Sequence, residues 1–180
     1  MYQRILVPVD GSATSSRGMS EAVDLARRLG ARLRLIHVVD ELSLAGAMDA
    51  YSEHGGDWLA ILREGGSQVL GQALQAAKEA GVEAESCMFS SPAGTVSAFI
   101  LDEARRWQAD LIVLGTHARR GPKRWLLGST AEAIVRQATM PVLLVHAEPG
   151  LDDLIPDEAQ AEQASRPERV NLPSQALSFE

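Results

Sequence analysis

The chain alternates between two patterns of hydrophobic and polar positions, one typical of buried strands and the other of amphipathic helices. Strand character, either short apolar runs or strict alternation, occurs in five segments: 5–9, 33–39, 82–89, 110–114 and 141–146. Apolar residues at helical spacing occur in four segments: about 15–29, 58–80, 95–107 and 129–138. Segment 41–56 has no clear period, and we expect it to be irregular.

The helical segments carry local signals for where they begin, bend and end. A hydroxyl residue among positions 14–16 is expected to cap the first helix, and Gly30 is expected to end it. The adjacent pair Gly65-Gly66 predicts a break or loosening of the long second helix. Ser129 with Glu132 three residues later is the capping-box pattern, so Ser129 is the predicted N-cap of the last helix.

The strict alternation of strand and helix indicates the fold class. Strands separated by helices run parallel, and right-handed crossovers place helices on both faces of the sheet. We therefore expect an α/β fold, a doubly wound open sheet of five parallel strands. Such folds bind ligands at the carboxyl ends of the strands, which here are Asp10-Gly11, Val38–Asp40 and Gly115. Pro8 is unusual because proline is normally excluded from central strands, although it lies near the end of its strand.

Composition narrows the class of protein. The chain has 180 residues, of which 46% are apolar and 23% charged, as in globular proteins that bury a core. Cys87 is the single cysteine, so neither an intramolecular disulfide nor a cysteine-based zinc site can form. The sequence contains no apolar run long enough to span a membrane and no signal-peptide pattern. We expect no membrane association and a cytoplasmic location.

The negative charge is concentrated at the C-terminus. Residues 148–180 contain eight acidic residues and two arginines, which gives this tail −6 of the total net charge of −7. The tail also contains four of the eight prolines and few apolar residues. We predict a domain at 1–147 and a tail at 148–180 that is largely disordered or packed on a partner.

Residues 115–130 are the segment most informative about function. A strand ends in glycine, four basic residues follow between 119 and 124, and Gly128-Ser129-Thr130 begins a helix. The free N–H groups and positive dipole end of a helix N-terminus bind anions. Gly128 leaves room for a phosphate, and the hydroxyls of Ser129 and Thr130 add hydrogen-bond donors. The segment therefore predicts a polyphosphate site.

This segment, together with Ile5–Asp10 and Leu35–Asp40, resembles the universal stress protein family, and the resemblance covers about residues 2–146. It implies a Rossmann-like fold of the adenine nucleotide alpha hydrolase type with strand order 3-2-1-4-5. It also implies a homodimer formed through the last strand, Pro141–His146. That strand is apolar on both faces, and pairing an edge strand with its copy would satisfy its unpaired backbone groups.

The nucleotide-binding branch of the family has a glycine motif: Gly, two residues, Gly, nine residues, Gly, then Ser or Thr. Here two residues separate Gly115 from Ala118, and nine residues later come Gly128 and Ser129. The motif thus holds at three of its four positions. If position 118 requires a positive φ, alanine costs about 1 kcal/mol, which weakens a site of many contacts without abolishing it.

The resemblance assigns roles to individual residues. Asp10 and Val38 match positions that hold the adenine, and Leu114 would lie beside the ribose. The predicted nucleotide-binding residues are Pro8, Val9, Asp10, Val38, Leu114, Gly115, Ala118, Arg119, Gly128, Ser129 and Thr130. The expected ligand is ATP, with or without Mg²⁺, or else AMP or another adenine nucleotide. An alternative for Asp10 is that its side chain only closes the turn after the first strand.

Two classes of function remain open. One is a stress-response regulator that binds adenine nucleotide and acts through a dimer on an unknown protein partner. Slow ATP hydrolysis is compatible with it, but no residue qualifies as a catalytic base. The other is a family member without nucleotide, acting as a protein-interaction or chaperone-like subunit, which Ala118 and the acidic tail favour. Nucleic-acid binding is disfavoured because residues 1–147 are nearly neutral and lack an aromatic platform.

Overall fold

The computed structural model describes residues 1–41, 58–91, 95–117 and 128–147. The strands in this part of the chain are β1 (Arg4–Pro8), β2 (Arg32–Asp40), β3 (Ala84–Ser91), β4 (Leu111–His117) and β5 (Val142–Ala147). The helices are α1 (Ala13–Leu29), α2 (Trp58–Glu79), α3 (Val96–Arg106) and α4 (Ser129–Gln137). Residues Met1–Glu148 form one compact unit. The predicted irregular segment lies largely outside the described residues and the whole tail lies outside them, so both stay predictions.

The five strands form one parallel sheet in the order β3-β2-β1-β4-β5, which confirms the predicted fold class and strand order. The order reverses between the central strand β1 and its neighbour β4. Their backbone pairing is confined to Ile5 with Leu111 and Leu6 with Ile112. Pro8 lies two residues beyond this ladder, so its missing N–H removes no bond to β4. The carboxyl ends of β1 and β4 therefore border a crevice.

Apolar side chains fill both faces of the sheet. One cluster, which includes Val7, Met19 and Leu35, lies beneath α1 and α2. The other, which includes Ile36 and Ile100, lies beneath α3 and α4. Burial of these two layers drives folding and confirms that helices cover both faces. No helix within the described residues is both long and apolar enough to cross a bilayer.

The start of α1 rests directly on the backbone of β4. A Cβ at Gly18 would lie 2.6 Å from the backbone nitrogen of Gly115, and a Cβ at Gly115 would collide with the carbonyl oxygen of Thr14. Glycine is therefore required at both positions because the helix and the strand approach so closely. This contact fixes the N-terminus of α1 beside the crevice.

An ion-pair cluster anchors α3 to the sheet. Arg34 on β2 pairs with Glu103 of α3 and lies 2.9 Å from Glu85 of β3, and its guanidinium lies 5.1 Å from the ring centroid of Trp107. Burial lowers the pKa of Arg34, but the hydrogen bonds and charges of the two glutamates outweigh it, so that pKa is raised. The same guanidinium lowers the pKa of Glu85.

Two predicted features of the first two helices are wrong. The N-cap of α1 is Ser12, whose Oγ accepts a hydrogen bond from the N–H of Ser15 at 3.1 Å, and not a residue among 14–16. Helix α2 continues through Gly65-Gly66 without a break. A Cβ at Gly66 would lie 2.6 Å from Cδ2 of His37, so this glycine serves close packing of the helix on the sheet. Gly30 does end α1, in the left-handed conformation, as predicted.

Two more corrections concern the segment predicted to bind phosphate. Strand β4 does not stop at Gly115 but continues to His117. The N-cap of α4 is Gly128, and Ser129 is the first residue of the helix. Glu132 donates its backbone N–H to the carbonyl of Gly128 at 2.9 Å, while its side chain bonds to Arg136. The predicted capping box is therefore absent from α4.

Candidate functional site

A cavity of about 340 Å³ opens where β1 and β4 end, and we call it the strand-end cavity. Its lining includes eight of the predicted site residues: Pro8, Val9, Asp10, Val38, Leu114, Gly115, Gly128 and Thr130. Ser129 is exposed and is not part of the lining. Ala118 and Arg119 lie outside the described residues, so their roles stay predictions.

Two other hollows within the described residues differ from this cavity. One, of about 390 Å³, lies between α1 and α2, and the other, of about 610 Å³, lies at the amino ends of the strands. Neither is lined by a residue of β4 or α4. Of these three hollows within the described residues, the strand-end cavity alone combines the switch point of the sheet with the start of a helix from the predicted phosphate segment.

One side of the strand-end cavity is apolar. Ile36 and Val38 project from β2, Leu114 projects from β4, and Val96 and Ile100 face them from α3. Ile36, Leu114 and Ile100 are each at most 5% exposed, so these walls are part of the folded core. A slot of this kind suits a flat, largely apolar group such as an aromatic base.

The side chain of Asp10 closes the turn after β1, which was the alternative role predicted for it. Its Oδ1 accepts the backbone N–H of Ser12 at 2.9 Å, and its own N–H donates to Oγ of Ser15 at 3.1 Å. The side chain is exposed at the rim of the cavity, and its Oδ2 makes no hydrogen bond to the described residues. A structural role for one oxygen thus leaves the other available to a ligand.

The N-terminus of α1 reaches the strand-end cavity in a capped form. Ser12, Thr14 and Ser15 belong to the lining. The Oγ of Ser12 satisfies the N–H of Ser15, and the carbonyl of Ser12 accepts both the N–H and the hydroxyl of Ser16 at 2.9 Å. The side chain of Ser12 thus satisfies one of the three N–H groups that precede the first intrahelical bond of α1, which lowers the capacity of this helix end to bind a ligand.

The N-terminus of α4 reaches the same cavity uncapped. Gly128 has no side chain to accept a hydrogen bond, and beyond its chain neighbours no atom of the described residues lies within 4 Å of the place where its Cβ would be. The N–H groups of Ser129, Thr130 and Ala131 precede the first intrahelical bond, and the described residues offer them no acceptor. Unpaired donors at the positive end of a helix dipole are the groups that bind anions in proteins.

Sequence reasoning missed half of the lining. The residues that it did not predict are Ser12, Thr14, Ser15, Ile36, Val96, Ile100, Thr116 and Ala131. A signal existed for two of them, because alternate residues of a strand share a face. Ile36 shares its face with Val38, and Thr116 shares its face with Leu114.

Two titratable residues of the sheet, His37 on β2 and Cys87 on β3, do not line the cavity. Nδ1 of His37 lies 2.8 Å from the carbonyl oxygen of Val9, so the ring ties β2 to the end of β1. Burial raises the pKa of Cys87 to about 11, which keeps its thiol protonated and unreactive at neutral pH. The described residues contain no group of three or more His, Cys, Asp and Glu side chains that could hold a metal ion. His54 lies outside those residues.

Comparison with known proteins identifies the family. Residues 1–146 match the model of the universal stress protein family. The chain belongs to this family. A universal stress protein of Methanocaldococcus jannaschii is 34% identical over 150 residues, which cover 81% of this chain and 82% of that protein. A family member from Burkholderia pseudomallei, whose structure is solved, is 31% identical with a TM-score of 0.63, over 81% of this chain and 97% of the other.

Several similar structures contain an adenine nucleotide. A universal stress protein solved in complex with cAMP is 25% identical to this chain, with a TM-score of 0.55 over 81% of this chain and 97% of the other. Two more distant relatives share the fold: a protein of Archaeoglobus fulgidus in complex with dAMP and one of Arabidopsis thaliana with AMP bound. Adenine nucleotides therefore bind to members of the family with this fold.

Proposed function

We propose that this protein binds an adenine nucleotide, with ATP as the first candidate, in the strand-end cavity and acts as a stress-response regulator. The observation that carries the proposal is the pairing of two surfaces in one cavity. An apolar slot between β2, β4 and α3 suits a base, and the uncapped start of α4 suits a phosphate. The cAMP, dAMP and AMP complexes of similar proteins support the choice of adenine.

Within the cavity, Oδ2 of Asp10 and the walls formed by Val38 and Leu114 hold the base and ribose, and the first turn of α4 holds a phosphate. The four basic residues of segment 119–124 lie outside the described residues. They are the reason for proposing a polyphosphate rather than AMP, with Mg²⁺ as its usual counterion.

The proposed role of the nucleotide is regulation and not turnover. Asp10 is the only carboxylate of the described lining, and one of its oxygens already closes a turn. A regulatory nucleotide acts by binding one conformation of the protein more tightly than another. The nucleotide would thereby control the affinity for a protein partner in the cytoplasm.

We also propose that the protein acts as a homodimer through the last strand, 141–146. Strand β5 is at an edge of the sheet, and Leu143 on it is 37% exposed. An edge strand with exposed apolar side chains favours pairing with its copy about a two-fold axis. Measurement of the mass in solution by light scattering, with Leu143→Lys as the disruptive variant, tests this arrangement.

Titration calorimetry tests the nucleotide proposal. The full-length protein is titrated with ATP and Mg²⁺, AMP, cAMP and adenosine, together with the variants Gly128→Asp and Gly128→Asn. Aspartate and asparagine are equal in size and both are good N-caps, so their difference measures the effect of one negative charge. We expect Gly128→Asp to bind ATP about 30-fold more weakly than Gly128→Asn, which is about 2 kcal/mol.

A folded wild-type protein that is free of nucleotide and binds none of these ligands would contradict the proposal. It would favour the alternative, a protein-interaction or chaperone-like subunit. If the two variants bind ATP with equal affinity, the protein still binds nucleotide, but the phosphate does not lie at the N-terminus of α4.

A further inference from the structure

Thr116 is a buried polar residue that the proposed function has not yet used. It lies near the carboxyl end of β4, is 4% exposed and lines the strand-end cavity. Two residues separate Thr116 from Leu114 along the strand, so both side chains project from the same face of the sheet. That face also meets Gly128, Thr130 and Ala131 at the start of α4 within the one cavity.

Among the described residues, Thr116 differs from every other buried polar residue. The others are Thr14, Ser15, Ser91, Ser97 and Glu103. Ser15 accepts the N–H of Asp10, Ser97 lies 3.4 Å from the hydroxyl of Thr95, and Glu103 pairs with Arg34. Thr14 and Ser91 also have polar interactions. Of these six buried polar residues, only Thr116 has a side chain to which the described part of the chain offers no hydrogen-bond partner.

An unpaired buried hydroxyl lowers the stability of a folded protein, because it loses its bonds to water and gains none in return. A valine would occupy nearly the same volume without this cost. Among the described residues, the only side-chain nitrogen or oxygen that is both fully enclosed and without a hydrogen-bond partner is Nε of Arg34. Because the hydroxyl of Thr116 is unpaired and is not such an atom, it is not fully enclosed. Thr116 therefore presents its hydroxyl to the cavity.

We propose that the hydroxyl of Thr116 donates a hydrogen bond to the phosphate of the bound nucleotide and makes the cavity select nucleotides over nucleosides. This inference rests on the proposed function. A phosphate oxygen only accepts hydrogen bonds, and a hydroxyl that donates to it forms a short, charge-assisted bond. The hydroxyl of Thr116 and the first N–H groups of α4 supply donors to one anion from two elements of the fold.

Two conservative variants of the full-length protein test this role, with AMP and adenosine as the probes. Thr116→Val removes the hydroxyl and keeps the shape, whereas Thr116→Ser keeps the hydroxyl. We expect Thr116→Val to bind AMP about 10-fold more weakly than wild type and adenosine equally well. Thr116→Ser should restore most of the affinity for AMP. Equal weakening of AMP and adenosine would overturn the inference, since a packing defect affects both.

Denaturation of the ligand-free protein provides an independent measurement. If the hydroxyl has no partner in the protein, Thr116→Val unfolds at the same or a higher urea concentration than wild type. A lower midpoint would overturn the inference, because it would show that the hydroxyl bonds within the protein. A wild-type protein that binds neither probe would refute the proposed function itself. A wild-type protein that prefers AMP, with unchanged preference in Thr116→Val, would refute the role of Thr116 alone.

Discussion

Helices α1 and α4 both begin at the strand-end cavity, yet their N-termini differ in one respect. At α1, Ser12 accepts the N–H of Ser15, and Asp10 accepts the N–H of Ser12. At α4, Gly128 offers no side chain, and the first three N–H groups have no acceptor among the described residues. The comparison shows that a helix start next to a cavity is not by itself an anion site. It becomes one where the donors are left unpaired.

The two glycines that the structure describes from the family motif differ in the same way. A Cβ at Gly115 would collide with the backbone of Thr14, so this glycine is required for the packing of α1 on β4. A Cβ at Gly128 would meet no atom of the described residues within 4 Å beyond its chain neighbours. Among the described residues Gly128 therefore has no packing role, whereas Gly115 allows the start of α1 to pack on β4. One motif thus includes a glycine required for packing and a glycine that we propose to contact the ligand.

The largest expected effect is that of Gly115→Ala on stability. The added methyl group forces α1 away from β4, and we expect the free energy of unfolding to fall by about 3 kcal/mol. Urea denaturation followed by circular dichroism measures the loss. Gly65→Ala is the matched control, because outside its own helix turn no atom of the described residues lies within 4 Å of that Cβ position, and alanine favours a helix interior. An unchanged midpoint for Gly115→Ala would show that packing does not require this glycine.

A smaller effect is expected from Ser12→Ala at the capped helix end. Loss of the hydrogen bond from the N–H of Ser15 should lower the free energy of unfolding by about 1 kcal/mol. Ser20→Ala, on the exposed part of the same helix, controls for the change of serine to alanine. If both variants unfold alike, the cap at Ser12 contributes nothing, and the contrast between α1 and α4 weakens.

The fold was predictable from the sequence because its signals are local and repeated. Alternating periods gave the elements, and the handedness of parallel crossovers then limited the topology. The N-cap of α4 was misplaced by one residue for a physical reason. The pattern of Ser129 and Glu132 shows which side chains are able to cap a helix, but not where the backbone enters it. In the structure Glu132 bonds to Arg136, and Gly128 occupies the cap position.

The site was predictable in part. Residues at strand ends were found because the switch point of the sheet brings them together. Val96 and Ile100 were missed because their place in the cavity depends on how α3 packs, which a local pattern does not determine. Thr116 was missed because the strand was predicted to end at Gly115, whereas β4 continues to His117 and Thr116 shares a face with Leu114. Ala118 and Arg119 stay predictions.

The most direct test of the contrast is to place one negative charge at each helix end in turn. Ser12→Asp keeps a good N-cap on α1, and Gly128→Asp adds one to α4, so neither should impair folding. The measured quantity is the ratio of the affinities for AMP and adenosine in each variant. The account predicts that Gly128→Asp lowers this ratio about 30-fold and Ser12→Asp by less than about 5-fold. An equal or larger fall with Ser12→Asp would contradict the assignment of the phosphate to α4.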